Sequence, residues 1–195
     1  MISTHPTLRA KTFMQPLPES ELHLYETLIR DVPDFPKSGI VFKDITPLCA
    51  DPTGFRTFID RLVTVCKDWN PDAIVAIDAR GFLFGGALAE RLGLGVILVR
   101  KKGKLPAETH EVSYDLEYGS ATLEMHVGAL EKGQRVVILD DLLATGGTVE
   151  ATLELCRRQG AEIAGCAFLV ELAFLGARAR LGSVPIFAPV QVTGE

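Results

Sequence analysis

Val136-Val137-Ile138-Leu139-Asp140-Asp141-Leu142-Leu143-Ala144-Thr145-Gly146-Gly147-Thr148 is the stretch whose reading decides the fold. Four consecutive apolar residues suit a strand buried on both faces of a parallel sheet, since a half-exposed strand would alternate. Two carboxylates end the strand, and a helical pattern begins at about Val149. Between them, Gly146 and Gly147 can take backbone angles closed to other residues, which lets amide N–H groups turn inward around an anion. Thr145 and Thr148 add hydroxyl donors, and the N-terminus of the following helix adds partial positive charge. Ala144 to Thr148 therefore reads as a phosphate cradle with acids beside it. The competing reading is a solvated turn in which Thr148 caps the helix.

The acid pair narrows the ligand. Adjacent carboxylates at a sheet edge repel, which raises the pKa of one of them unless something balances the pair. A sugar diol could donate to both, and a Mg²⁺ carried by a neighbouring phosphate could offset their charge. Together these point to a ribose that carries phosphate. No Gly-x-x-x-x-Gly-Lys-Ser/Thr or Gly-x-Gly-x-x-Gly stretch is present, so nucleoside triphosphatase and dinucleotide readings lose their usual support.

The remaining chain reads as one α/β unit. Ser20 is expected to cap a first helix with Leu22, Tyr25, Leu28 and Ile29 at helical spacing, stopped by Pro33. The segment from Pro33 to Pro47, punctuated by proline and glycine around Ile40-Val41-Phe42, reads on its own as a loop packed on the core. Asp51-Pro52 is a helix start, followed by the apolar stripe Phe55, Phe58, Ile59, Leu62, Val63 and Cys66. Ala73 to Ile77 is a buried strand, with Asp78-Ala79-Arg80-Gly81 at its carboxyl end, where ligands bind in open α/β sheets. Gly95 to Val99 is another strand, and Arg100-Lys101-Lys102-Gly103-Lys104 then places four cations in five residues. That run is either solvated surface or, on the same sheet edge as Asp78 and Asp140, a face for polyphosphate. Leu105 to Tyr118 is polar and aperiodic, a long loop of the kind that often forms a lid. Ala121 to His126 alternates as a strand, and Ile163 to Leu172 is expected to be a last long apolar strand. His110 and His126 are read as non-catalytic.

With 195 residues and 47% hydrophobic content the chain can bury a proper core. A net charge of −5 with interspersed signs suits a soluble cytoplasmic protein and argues against bulk nucleic-acid binding. No apolar run approaches a membrane span. Cys49, Cys66, Cys156 and Cys166 lack metal-ligand or disulfide spacing and read as reduced core thiols. Residues 1–20, with three prolines and no acid before Glu19, read as a flexible extension, leaving residues 21–195 as the single domain.

The strand, Asp-Asp pair and Ala-Thr-Gly-Gly-Thr loop resemble the 5-phosphoribosyl 1-pyrophosphate (PRPP) motif of the type I phosphoribosyltransferases. Pro33-Asp34-Phe35-Pro36, Gly39 to Pro47, Ala79-Arg80-Gly81-Phe82, Arg100 to Pro106 and Leu116-Glu117-Tyr118-Gly119 extend the likeness to the adenine phosphoribosyltransferases, over roughly residues 21–190. The resemblance implies a doubly wound, mostly parallel sheet with a small N-terminal hood at about 33–47 and a flexible catalytic loop at about 102–119. It implies conversion of adenine and PRPP to AMP and pyrophosphate with Mg²⁺, held mainly through PRPP or pyrophosphate, in a cytoplasmic homodimer.

By the same resemblance, Asp140 and Asp141 hold the ribose hydroxyls, and Ala144, Thr145, Gly146, Gly147 and Thr148 hold the 5′-phosphate. Ala79, Arg80, Lys101 and Lys104 meet pyrophosphate. Val41, Phe42, Lys43 and Leu172 meet adenine, although many relatives carry Arg in place of Lys43. Glu117 moves the proton and Tyr118 closes the site; Glu108, Glu111 and Asp115 compete for the proton role. Two alternatives stay open: transfer to another base such as xanthine or orotate, and a non-catalytic PRPP-sensing regulator.

Overall fold

A strand buried on both faces needs cover above and below, and the arrangement of helices follows from that need. The computed structural model describes residues 17–115 and 120–194. In chain order the elements are α1 (Glu19–Leu28), β1 (Arg30–Pro33), β2 (Val41–Asp44), α2 (Thr46–Ala50), α3 (Pro52–Trp69), β3 (Ala73–Ile77), α4 (Gly81–Leu92), β4 (Gly95–Lys101), β5 (Thr109–Asp115) and β6 (Ser120–His126). There follow β7 (Arg135–Leu139), β8 (Leu142–Leu143), α5 (Gly147–Arg158), β9 (Glu162–Ala167), β10 (Val170–Leu172), a 3₁₀ turn (Ala173–Leu175), α6 (Ala177–Leu181), β11 (Ile186–Phe187) and β12 (Val190–Val192).

Seven strands form the central sheet in the order β11-β9-β7-β3-β4-β6-β5. The first five run parallel, while β6 and β5 are antiparallel additions at one edge. Every residue of β3 is buried, and its side chains divide between two cores. Ala73, Val75 and Ile77 join Val149, Leu153 and Cys156 of α5. Ile74, on the opposite face, joins Phe58, Ile59 and Leu62 of α3 and Phe84 and Leu88 of α4. The chain leaves β3 toward β4 and leaves β7 toward β9, the opposite direction, so right-handed crossovers put α4 and α5 on opposite faces. This is the doubly wound sheet expected from the sequence.

Several local expectations change. The first helix begins at Glu19 behind Pro18, so Ser20 lies inside it, and Glu19 and Ser20 belong to the fold and not to the extension. It ends at Leu28, well before Pro33, as the chain turns extended at Ile29 to start β1. The segment read as a loop contains β2, which pairs with the preceding β1 in a small antiparallel sheet, Asp31 opposite Lys43 and Val32 opposite Phe42. The expected loop at 102–119 contains the seven-residue β5, paired throughout with β6 from Thr109–His126 to Asp115–Ser120. Its polarity belongs to an arm at the edge of the sheet, where one face meets water and only Val112 and Tyr114 pack on the core. The expected strand Ile163–Leu172 is two strands: β9 pairs with β7, whereas β10 joins β8 and β12 in a separate three-stranded sheet.

Asp51 behaves as read, its carboxylate accepting the Gly54 N–H at 2.6 Å at the start of α3. All four cysteines are free thiols, and burial pushes Cys66, Cys156 and Cys166 up to about 12.

Candidate active site

Three adjacent parallel strands, β7, β3 and β4, end at the same edge, and each hands over to a polar segment. Asp140 and Asp141 follow β7, Asp78, Ala79 and Arg80 follow β3, and β4 ends in Arg100 and Lys101 just before Lys104. These eight residues line one open cleft of about 480 Å³. Six of the residues singled out in the sequence, Ala79, Arg80, Lys101, Lys104, Asp140 and Asp141, are thus brought together across more than sixty positions.

The acids are not equivalent. Asp141 is 3% exposed and accepts a hydrogen bond from Arg80 Nε. Its main-chain carbonyl also accepts the N–H groups of Leu169 and Val170, each at 3.0 Å, which ties the pair to the start of β10. Asp140 accepts the Asp141 N–H at 2.9 Å. Burial, and then the neighbouring Asp141 carboxylate, push Asp140 well above the usual carboxylate range. The charge balance expected from a ligand is therefore supplied in part by the chain itself, through Arg80.

Arg80 also lies over the Phe42 ring, 5.6 Å from its centroid, and so joins the small β1–β2 sheet to the acids. Phe42 packs edge-on against Phe35, and Val41 is exposed. Lys43 turns to its own hairpin, with Nζ donating to Asp31 at 2.7 Å. Leu172 ends β10 two residues beyond Val170 and is partly buried on the α3–α4 core.

The cradle follows the acids after the two residues of β8. Only one of its glycines uses a left-handed conformation: Gly146 has φ +88° and caps α5, while Gly147 is already helical. Thr148 does not cap the helix. Its hydroxyl donates to the Tyr114 hydroxyl at 3.1 Å, a link between the phosphate-type loop and the β5–β6 arm. Asp115 and Ser120 are the last register partners of that arm. Glu117 and Tyr118 fall between them, outside the described residues. Of the competing carboxylates, Glu111 is engaged by Lys102 Nζ at 2.6 Å. His126 Nε2 lies 2.6 Å from the Pro106 carbonyl oxygen, a structural contact.

Three polar groups were not singled out from the sequence. Arg100 was one of four clustered cations; here its Nε donates to Asp78 at 2.9 Å and its Nη1 to the Lys104 carbonyl at 3.0 Å. Tyr114 looked like part of a loop. Glu124 is 3% exposed within β6, and its only signal was an acid flanked by the apolar Leu123 and Met125. Among the described residues no cluster of three or more His, Cys, Asp or Glu could hold a metal ion. No helix there is long and apolar enough to cross a membrane.

A sequence model of the phosphoribosyl transferase domain matches residues 56–181. The adenine phosphoribosyltransferase of Synechococcus sp. is 55% identical over 165 residues, covering 85% of this chain and 96% of the relative. The crystal structure of adenine phosphoribosyltransferase from Thermoanaerobacter pseudethanolicus superposes with a TM-score of 0.85 at 48% identity, over 87% of this chain and 99% of that one. The Saccharomyces cerevisiae enzyme, solved with adenine and D-2,5-dideoxy-2,5-imino-altritol 1,6-bisphosphate, superposes with a TM-score of 0.83 at 36% identity, over 88% and 99% of the two chains. With 85% of its length matched at 55% identity by the Synechococcus enzyme and its fold shared with the two solved enzymes, the chain belongs to the adenine phosphoribosyltransferases.

Proposed function

We propose that this cleft transfers the phosphoribosyl group of PRPP to adenine, giving AMP and pyrophosphate, a purine-salvage reaction. The observation that carries the reading is the meeting of two chemistries in one cleft. Asp140 and Asp141 accept hydroxyl donors, and Arg80, Arg100, Lys101 and Lys104 attract a polyphosphate. The yeast relative's complex holds an imino-altritol bisphosphate together with adenine.

Asp140 and Asp141 take the ribose hydroxyls, and Ala144 to Thr148 take the 5′-phosphate at the start of α5. Pyrophosphate and ribose divide the Arg80–Asp141 pair between them, the guanidinium turning to phosphate oxygens and the carboxylate to a hydroxyl. Arg80, Lys101 and Lys104 stabilise negative charge that grows on the departing pyrophosphate, fixed in place before the reaction. The Asp140 and Asp141 carboxylates, opposite the cations of the same cleft, suit a Mg²⁺ that arrives on PRPP. When bound, that ion supplies further charge neutralisation to the pyrophosphate. Val41, Phe42, Lys43 and Leu172 form the adenine side, with Phe42 supported by Arg80. Glu117 accepts the proton that adenine loses on attack, and Tyr118 closes the site so that water does not intercept an oxocarbenium-like sugar.

A homodimer in a reducing, cytoplasmic setting belongs to the same reading. It is supported by the four free thiols and by Leu83 of α4 and Leu98 of β4, exposed apolar side chains that association would cover.

The test is a coupled assay with PRPP and Mg²⁺ in which adenine, hypoxanthine, guanine, xanthine and orotate are offered separately. AMP from adenine, with the other bases inert, is expected. Turnover of another base alone would overturn the adenine side, and PRPP binding without turnover of any base would place the chain among regulators.

A further inference from the structure

After Lys101 the chain leaves the β ladder, and its main-chain groups must find partners elsewhere. Along β6, Thr122, Glu124 and His126 point to one face, two residues apart, and the turn at 102–106 lies along them. Lys102 N–H donates to the Thr122 carbonyl at 3.0 Å, and the Pro106 carbonyl meets His126. Between these ends a single buried carboxylate takes every donor. Glu124 Oε2 accepts the Gly103 N–H at 3.1 Å, and Oε1 accepts those of Lys104 at 2.8 Å and Leu105 at 2.6 Å. The opposite side of the same turn is held by Arg100, the register partner of Glu124, on the Lys104 carbonyl.

We propose that Glu124 is a positioning residue for pyrophosphate: with Arg100 it clamps the turn at 102–105 so that Lys101 and Lys104 face the leaving group. The inference rests on the reading of the cleft as a PRPP site. A solvated basic loop would have no need of a buried acid, and three amides gathered on one carboxylate fix the backbone of a segment whose side chains are long and flexible. Burial works against the charge on Glu124, but the N–H groups of Leu105, Gly103 and Lys104 outweigh it and hold the carboxyl below the usual range. Glutamine at this position would keep one acceptor oxygen and turn an NH₂ group toward the third amide. Gly103, at φ +81°, offers a second handle on the same turn. A Cβ added there meets nothing within 4 Å, so Gly103→Ala acts through backbone conformation alone.

Glu124→Gln, Gly103→Ala and the control Glu162→Gln are compared with the unaltered protein. KM is measured for PRPP and for adenine, calorimetry measures binding of inorganic pyrophosphate with Mg²⁺, and amide exchange is followed over residues 102–106. Glu124→Gln and Gly103→Ala should each raise the PRPP KM and the pyrophosphate Kd together by about tenfold, with faster exchange at 103–105 and adenine KM held within about twofold. Glu162→Gln, which changes an exposed carboxylate bonded to Arg135 at the start of β9 and to no part of the turn, should leave all of these unchanged. Unaltered PRPP and pyrophosphate affinity in both variants, or equal loss toward adenine and PRPP, overturns the clamp. If Glu124→Gln fails to fold, Gly103→Ala decides by the same criteria. Absence of both pyrophosphate binding and AMP formation in the unaltered protein would overturn the reading of the cleft itself, and the clamp's role with it.

Discussion

Asp141, 3% exposed, accepts a hydrogen bond from Arg80 Nε, while Asp140, with a main-chain N–H as its donor, is pushed upward by burial and then by the Asp141 carboxylate. The linkage has a definite sign. Between the ordinary carboxylate range and the raised value, the unfolded chain has released the Asp140 proton and the folded chain has not, so stability falls as pH rises through that interval. Asp140→Asn removes this penalty. Its melting temperature relative to the unaltered protein should rise more at about pH 7 than at about pH 3, where the unfolded state is largely protonated as well. Activity should fall at least about a hundredfold, since a group aimed at the sugar is lost. A melting difference independent of pH would show that Asp140 carries no such cost. The acid pair itself was legible, being two adjacent letters after an apolar run. Its partner was not, because Arg80 and Asp141 stand 61 positions apart and only the pairing of β3 with β7 brings them together.

At the scale of elements, the acids are placed by the way α4 starts against the end of β7. A Cβ on Gly81 would lie 2.6 Å from the Leu139 carbonyl oxygen and 3.1 Å from the Asp140 Cα, both main-chain atoms. Neither can step aside without moving the strand end that carries the acids. Gly81→Ala should therefore lose about 1–3 kcal/mol of stability and about a hundredfold in kcat/KM, read from denaturant midpoints and AMP formation. Gly86, in the same helix with open space around it, is the control, and Ala there should be neutral or stabilising by up to about 1 kcal/mol. Equal effects at the two positions would remove Gly81 from the account. Elements with a single environment were the readable ones, such as β3, buried end to end, and α3, with its Asp51 cap and one apolar stripe. The chain from Ile163 to Leu172 is apolar throughout and so reads as one strand. Periodicity reports burial but not which ladder supplies the hydrogen bonds, and Leu169 and Val170 give theirs to Asp141. The arm β5 failed for the opposite reason, since an edge strand with a wet face looks like a loop.

For the whole molecule, the two cores and the site have separate duties. The α4 and α5 faces bury the sheet, while the cleft gathers like charges at one edge: Asp140 beside Asp141, and Lys101 and Lys104 beside Arg100. The succession of β3, β4, β7 and β9 was legible because their apolar runs stand out from the polar turns between them. The balance of charge was not, because it exists only once the edge is assembled. A ligand that satisfies both signs should therefore stabilise the entire fold. At a concentration of about 100 Kd, binding to the folded chain alone adds about 2.7 kcal/mol. In a protein of 195 residues this corresponds to a melting increase of about 5–10 °C, at about 2–4 °C per kcal/mol. PRPP with Mg²⁺ should give that shift. Ribose 5-phosphate, lacking the pyrophosphate, should give less at the same concentration, and the double variant Asp140→Asn with Asp141→Asn should give little with either. A full PRPP shift in the double variant would take the sugar away from the acids. An equal shift with ribose 5-phosphate would take the pyrophosphate away from Arg80, Lys101 and Lys104 and leave the acid pair and the cradle at Ala144–Thr148 as the source of binding.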